Sequence, residues 1–264
     1  MSNDKRYGTQ EPKQSARGPA LRTAVVIPAL NEAATILDLA GRAARQCDIV
    51  VVVDDGSGDG TADVLTGGPA RVLRNSTRMG KAASLWRGIS YCLDEQQVDA
   101  IVTMDGDGQH RPEDIPALID AATQAPNSIV IATRLLEREN MPSARRFGNT
   151  MADFWIGWAA GYPIQDTQSG FRLYPSCLLR TLDLPHDVAH GFVFESEVLI
   201  EAARLGFFAM PVPVKCIYRE ALRPSHFRPV GDTIQIIRMV AGQLIRRGMY
   251  PLGLLRSVGL LGRP

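Results

Sequence analysis

The sequence predicts a doubly wound α/β fold, a mostly parallel sheet flanked by helices. Three observations carry that expectation. Apolar runs of strand length alternate with helical periodicities through the first half of the chain. The run "DIVVVVDD" has four consecutive valines, which suits a strand covered on both faces, as in a parallel sheet. Pro28, Asp54–Asp55, Asp105–Asp107 and Arg134 all lie where such runs end. Ligands of such sheets bind at the carboxyl ends of the strands.

The elements follow in order. "TAVVIPAL" (23–30) reads as a buried strand ended by Pro28. The helix "NEAATILDLAGRAAR" comes next, with Ile36, Leu37, Leu39, Ala40, Ala43 and Ala44 largely on one face and Asn31 placed to cap it. "DIVVVVDDGSGDGT" is a second strand with an acidic turn, and "ARVLRN" a short third strand. "GKAASLWRGISYCLDEQQ" is a helix starting near Gly80, and "DAIVTMDGDGQ" a fourth strand. "PEDIPALIDAATQ" is a helix with Pro112 suited to its first turn, and "SIVIATR" a fifth strand.

The second half is less regular. "RRFGNTMADFWIGWAAGYP" is a helix rich in aromatic residues, and "DTQSGFRLYP" a turn leading into a strand. "GFVFESEVLIEAARLGF" is a helix ended at Gly206, and "FAMPVPVKCIYRE" a strand whose prolines place it at a sheet edge. "GDTIQIIRMVAGQLIRRG" is an amphipathic helix. Ile237, Val240, Ala241 and Leu244 share one face; Gln235, Arg238, Gly242 and Arg246 share another.

Composition narrows the function classes. The chain has 264 residues, 45% hydrophobic and 22% charged, enough for one large α/β domain or two small ones. A net charge of +1 gives no general drive toward nucleic acid. From Arg219 onward every basic residue is an arginine, and the acids are Glu220 and Asp232, which suggests an anionic partner at that end. Cys47, Cys92, Cys177 and Cys216 form no CxxC pair, against a zinc site and a disulfide scaffold. Residues 1–20 are polar and read as a disordered tail rather than a signal peptide. No apolar run reaches the roughly 20 residues of a spanning helix, so a reducing cytoplasm is expected.

Several motifs tempt and fail. "DDGSGDGT" lacks the last glycine of a dinucleotide fingerprint, because Thr61 stands there. Read as a calcium loop it has Thr66 where the closing acid belongs. "NSTRMGKAAS" has Asn75 at the first P-loop glycine and Ala82 in place of Ser or Thr.

"MDGDGQHRPED" carries more. In an extended segment Asp105 and Asp107 point the same way, and Gln109 continues that alternation. Gly106 leaves room for a sugar or phosphate. A hard divalent cation bridging a diphosphate wants a few protein oxygens and takes the rest from phosphate and water. The plain alternative is a solvated strand-end turn. Asp54–Asp55 either accept hydrogen bonds from a base or ribose, or cap the short helix after Thr61. Glu32 either faces a nucleotide or complements a helix start. His110 alternates to the other side and is assigned no catalytic role.

Together "VVIPALNEAATI", "VVVDDGSGDGT", "RMGKAASLWRGI", "MDGDGQHRPEDI", "ATR", "DTQSGFRLYP", "FESEVLIEAARLGF" and "PVPVKCIYRE" resemble glycosyltransferase family 2, which has the GT-A fold. The resemblance runs from Thr23 to about Arg228 and looks most like the polyprenyl-phosphate branch, which includes dolichol-phosphate mannosyl- and glucosyltransferases. It implies a metal-dependent inverting enzyme using Mg²⁺ or Mn²⁺. The reaction would move a hexose from a nucleotide sugar, GDP-mannose or UDP-glucose, to a polyprenyl phosphate. Pro28, Glu32 and Asp55 would line the nucleotide pocket; Asp105, Asp107 and Gln109 would form the metal-binding D-x-D-x-Q element around Gly106. Arg134 would meet the donor diphosphate or the acceptor phosphate, and Arg219 would reach the phosphates from the C-terminal side. Asp107, Arg134 and Arg219 would thus carry the catalysis. In "RPSHFRP", His226 replaces the lysine of the mannosyltransferases' Ser-Lys pair, and Arg228 follows two positions on as a further donor contact.

The implied organisation is a tail (1–20), a catalytic domain (21–228) and a membrane-associating amphipathic segment (229–264). A phosphate monoester with a second pKa of about 6 needs no base, only cations to position it. Arg134, Arg172, Arg219 and Arg228 are the candidates. A saccharide acceptor would instead need Glu195 or Glu197 as a base. A nucleotide-sugar-binding protein without turnover is the non-catalytic alternative. Phe154, Trp155, Trp158 and Tyr162 serve either core packing or a membrane boundary. The arginine-rich stretch Ile234–Pro264 suits anionic lipid or a protein interface. The expected location is cytoplasmic, either free or peripheral on the cytoplasmic face of a membrane.

Overall fold

The structure, a computed structural model, describes residues 21–134, 143–184, 193–215 and 229–262. The tail and Arg219, His226 and Arg228 lie outside the described residues.

Among the described residues seven strands form one sheet: β1 (Thr23–Ala29), β2 (Ile49–Asp54), β3 (Arg71–Arg74), β4 (Ala100–Thr103), β5 (Ser128–Thr133), β6 (Arg172–Pro175) and β7 (Phe208–Pro213). Their order is β3-β2-β1-β4-β6-β5-β7. All pairings are parallel except those of β6, which runs antiparallel between β4 and β5. The helices are α1 (Ile36–Ala43), α2 (Lys81–Glu95), α3 (Ile115–Gln124), α4 (Ser143–Ala160), α5 (Ser176–Thr181), α6 (Phe194–Arg204), α7 (Pro229–Arg246) and α8 (Pro251–Ser257).

Alternate strand residues feed two cores, one on each face. Val25, Ile27, Val50 and Val52 pack with Ile36 and Leu39 of α1 and with Ile115 and Leu118 of α3. Val26, Val51 and Val53 pack on the other side with Leu85 and Ile89 of α2, Ile156 of α4 and Val198 of α6. Each such buried side chain stabilises the fold by about 1.5–3 kcal/mol. Gly88 lets α2 lie close on the sheet: a Cβ there would sit 2.5 Å from Val26 Cγ1. Pro211 and Pro213 are exposed on β7, which is an edge strand as expected.

Four local expectations change. Asn31 does not cap α1, which starts at Ile36. With φ at 57° it leaves the helical path; its N–H donates to Ser57 Oγ at 2.8 Å and its Oδ1 accepts from Gly58 N at 3.0 Å. It therefore ties the loop after β1 to the loop after β2. The fourth strand stops at Thr103, and Asp105–Gly108 is a turn closed by Gly108 with φ at 73°. The two aspartates thus owe their nearness to a turn and not to strand alternation. On α7 the buried seam is Ile236, Val240 and Leu244, while Ile237 and Ala241 face outward. That seam belongs to the α2-side core, so α7 packs on the helices that cover this face of the sheet. Finally, α5 and α8 are additional short helices; Leu178 and Leu179 anchor the first, and Pro251 opens the second.

Candidate active site

The site forms where β1, β2, β4 and β5 end. Asp55 works one step behind it. Its Oδ1 accepts from the Asn75 amide at 2.8 Å and from Met79 N at 2.7 Å, and its Oδ2 accepts from Gly80 N at 2.9 Å. A carboxylate offers about four acceptor positions, so most of its capacity goes to fixing the start of α2. The first residue of that helix is Lys81.

Lys81 Nζ lies 2.7 Å from Asp105 Oδ1 and 3.2 Å from Glu195 Oε2. Burial disfavours the ammonium, but the two carboxylates outweigh it and hold its pKa above the usual lysine value. Burial also opposes charge on Asp105, yet Lys81 brings that carboxyl below its ordinary range. The lysine thus joins the turn after β4 to the first turn of α6. Glu195 is buried, and its Oε1 has no hydrogen-bond partner among the described residues.

Asp107 differs. It keeps a face toward solvent, its Oδ1 accepts from Gln109 N at 3.0 Å, and its pKa is raised by partial desolvation within the turn and by the charge of Asp105. Between the two aspartates sits Gly106. Its carbonyl accepts from Thr35 Oγ1 at 3.1 Å, and a Cβ there would meet Pro28 O at 3.1 Å and Glu32 Cγ at 3.5 Å. Pro28, Glu32, Asp105, Gly106, Asp107 and Gln109 therefore gather around one turn. His110 points away, packs on the Phe171 ring at 5.2 Å, and is pushed down to about 4 by burial.

Arg134, just past β5, makes a two-pronged pair with Asp166. Its Nε donates to Oδ2 at 3.0 Å and its Nη2 to Oδ1 at 2.5 Å, while its own N–H reaches Oδ2 at 2.8 Å. Asp166 is held in turn by α4: Asp153 Oδ2 accepts from Asp166 N at 3.2 Å and Oδ1 from Thr167 N at 2.8 Å. The positive charge of Arg134 helps to lower the Asp105 pKa, so both belong to one electrostatic site.

Arg172 is not a surface phosphate ligand. It is fully buried and donates to the carbonyls of Ser169 at 2.7 Å, Thr167 at 2.7 Å and Glu195 at 2.6 Å. It fastens the "DTQSG" turn to α6. Sequence reasoning missed Lys81, Asp166 and Gly170. A Cβ on Gly170 would fall 2.6 Å from Asp105 Oδ2, so only glycine lets that carboxylate lie against the chain. Lys81 left a readable signal: a cation in the first turn of a helix opposes the macrodipole and asks for an acidic partner.

Among the described residues no group of three or more His, Cys, Asp or Glu side chains is arranged to hold a metal by itself. The turn offers instead two carboxylates whose charges repel. That suits a hard cation taking only part of its ligands from protein.

The tryptophan-rich helix divides its labour. Tyr162 lies just past the end of α4 and not on it; it is core, its hydroxyl accepting from Ala209 N at 2.7 Å, whereas Trp155 on the helix is exposed. No helix among the described residues is long and apolar enough to cross a membrane.

The model for glycosyl transferase family 2 matches residues 24–193. The chain is 31% identical over 211 residues to undecaprenyl-phosphate mannosyltransferase of Micrococcus luteus, covering 76% of this chain and 85% of that protein. It is 31% identical over 231 residues to polyprenol monophosphomannose synthase of Mycolicibacterium smegmatis, covering 83% and 86%. Among solved structures it is similar to glucosyl-3-phosphoglycerate synthase of Mycobacterium tuberculosis, crystallised with Mn²⁺, UDP-glucose and phosphoglyceric acid. There the TM-score is 0.63 at 23% identity, over 86% of this chain and 79% of that one. The sheet order, the acidic turn after β4 and these matches lead to one conclusion: the chain belongs to glycosyl transferase family 2 and is a glycosyltransferase.

Proposed function

We propose that the protein transfers a hexose from a nucleoside-diphosphate sugar to a polyprenyl phosphate, inverting the anomeric carbon, while seated peripherally on a membrane. The observation that carries this reading is the Lys81 bridge. Of the two candidate bases, Glu195 and Glu197, the first is already paired through Oε2 with the Lys81 ammonium at 3.2 Å. A hydroxyl acceptor would need a carboxylate held for its proton. A phosphate acceptor brings its own nucleophilic oxygen at neutral pH. Both curated relatives carry a polyprenyl-phosphate product or acceptor in their names, which supports the same choice.

The step is a single in-line displacement. An acceptor phosphate oxygen bonds to the anomeric carbon as the bond to the donor's diphosphate oxygen breaks, and the electron pair leaves on that oxygen. No proton need be moved. Arg134, pre-oriented by Asp166, presents a fixed cation to phosphate oxygens. Lys81 fixes Asp105 and Glu195 so that the donor sugar meets a rigid wall. Pro28, Glu32 and the remaining acceptor position of Asp55 would border the nucleotide, and Arg219 and Arg228 would complete the phosphate site. Asp105, Asp107 and Gln109 would hold Mg²⁺ or Mn²⁺, which when bound neutralises diphosphate charge as a Lewis acid. Residues 21–228 would form the catalytic domain and 229–264 the membrane-associating segment.

The test is nucleotide release from GDP-mannose and UDP-glucose, with and without a short polyprenyl phosphate and a divalent ion. Stimulation by the lipid phosphate is expected. Equal release with and without any lipid phosphate would remove the acceptor assignment.

A further inference from the structure

We infer that the outer face of α4, continued across Met249 and Leu252 at the start of α8, docks on an anionic lipid surface and sets the distance from that surface to the site. This deepens the proposed function and rests on its lipid-phosphate acceptor.

Phe147, Met151 and Trp155 are 68%, 36% and 37% exposed, and their spacing of four puts them on one stripe of the helix. Trp158 extends the stripe. Its ring stacks on Trp155 at 5.2 Å, and its indole N–H donates to Met249 O at 3.0 Å and Tyr250 O at 3.1 Å. Met249 and Leu252, 48% and 54% exposed, carry the apolar surface onward to α8. Large apolar side chains clustered in this way mark an interaction face, and tryptophan favours the membrane boundary.

Charge selects the occupant. Two arginines border the patch where α4 meets α8: Arg247 Nη1 donates to Ala159 O at 2.7 Å and Arg256 Nη1 to Tyr250 Oη at 3.5 Å, and residues 235–262 hold no aspartate or glutamate. A second copy meeting this patch across a two-fold axis would bring the same arginine-bearing surface against itself, without acids to pair it. Anionic headgroups supply the missing charge.

The opposite side of α4 faces the site. Ile156 and Ala160 are buried in the core, and Asp153 holds Asp166, the partner of Arg134. One helix, about 10–12 Å across, thus separates the apolar stripe from the scaffold of the phosphate-binding arginine. Interfacial helices sink about 5–10 Å into the headgroup boundary. Because α4 carries both the stripe and the carboxylate that holds the partner of Arg134, seating the stripe on a lipid surface fixes the height of Arg134 above it.

The test is co-sedimentation of the full chain with phosphatidylcholine vesicles, with and without phosphatidylglycerol. Wild type is expected on the anionic vesicles, with a blue shift of tryptophan fluorescence. Met151→Glu/Trp155→Glu, and separately Phe147→Glu, should bind about tenfold or more weakly, yet turn over a short water-soluble polyprenyl phosphate as wild type does. Vesicle binding equal to wild type in both variants overturns the inference. So does a wild-type dimer that the substitutions split while vesicle binding is unchanged. Wild-type vesicle binding without transfer to any lipid phosphate would instead remove the acceptor assignment and leave the docking face standing.

Discussion

Two acidic, glycine-rich loops leave the neighbours of β1, and they do opposite things. After β2, the carboxylates are absorbed by backbone. Asp54 Oδ1 accepts from Ser57 N at 3.0 Å, Asp55 takes Met79 N and Gly80 N, and Asp59 accepts from Thr61 N at 3.0 Å and Ala33 N at 3.1 Å. After β4, Asp105 faces the ammonium of Lys81 and Asp107 faces solvent and the charge of Asp105. Composition does not separate such loops. The donors within reach do. A carboxylate satisfied by amides is a bracket, and a carboxylate held by a lysine beside a second one left toward solvent is a place for a ligand with charge to neutralise.

That contrast can be broken by substitution. Asp107→Asn should lower metal-dependent transfer on the order of 10³-fold at saturating donor, with an unchanged melting temperature because the side chain is exposed. Near-normal turnover would return the loop after β4 to the bracket class. Lys81→Met leaves Asp105 and Glu195 facing each other without a cation and should cost about 3 kcal/mol in urea unfolding. It should also raise the Asp105 pKa as followed by carboxyl NMR. Adding Glu195→Gln should recover part of the stability, and no recovery would count against the bridge.

Asp55→Asn should act on stability first, costing about 2 kcal/mol through lost charge-assisted hydrogen bonds to the start of α2. An intact denaturation midpoint with a raised donor KM would make the loop after β2 a binding loop as well. The smallest effect concerns His110. Its folded pKa of about 4 lies below the unfolded value of about 6.5, so the unfolded chain takes the proton first. The stabilisation is complete above about pH 6.5 and is lost on acidification toward pH 4. In chelator, wild type should lose about 1 kcal/mol more than His110→Gln between about pH 6.5 and 5.5. Parallel curves would show that the ring is not held neutral by burial.

Much of the fold was legible because its signal is local. Four valines in β2 and the apolar seams of α1 and α3 need only their own segments to be read. The rim was legible too, since polar residues at successive strand ends converge in any parallel sheet. What failed depends on partners distant in sequence. The antiparallel insertion of β6 between β4 and β5 is a tertiary choice. On α7, Val240 and Leu244 were legible as buried, but Ile237 and Ala241 yield to Ile236 because the seam is set by packing against the α2-side core. Strand alternation through Asp105–Gln109 lost to the turn preference of Gly108. Lys81 meets Asp105 and Glu195 only after α2 and α6 have docked. Arg172 looked like a phosphate ligand until its donors were found on carbonyls.

Formation of lipid-linked sugar by wild type and Asp107→Asn, from each nucleotide sugar with a polyprenyl phosphate, decides the central question. Wild type should form product with Mg²⁺ or Mn²⁺ and lose it in chelator, and Asp107→Asn should form almost none under either condition. Full turnover onto a soluble saccharide, with none onto any polyprenyl phosphate, would contradict it.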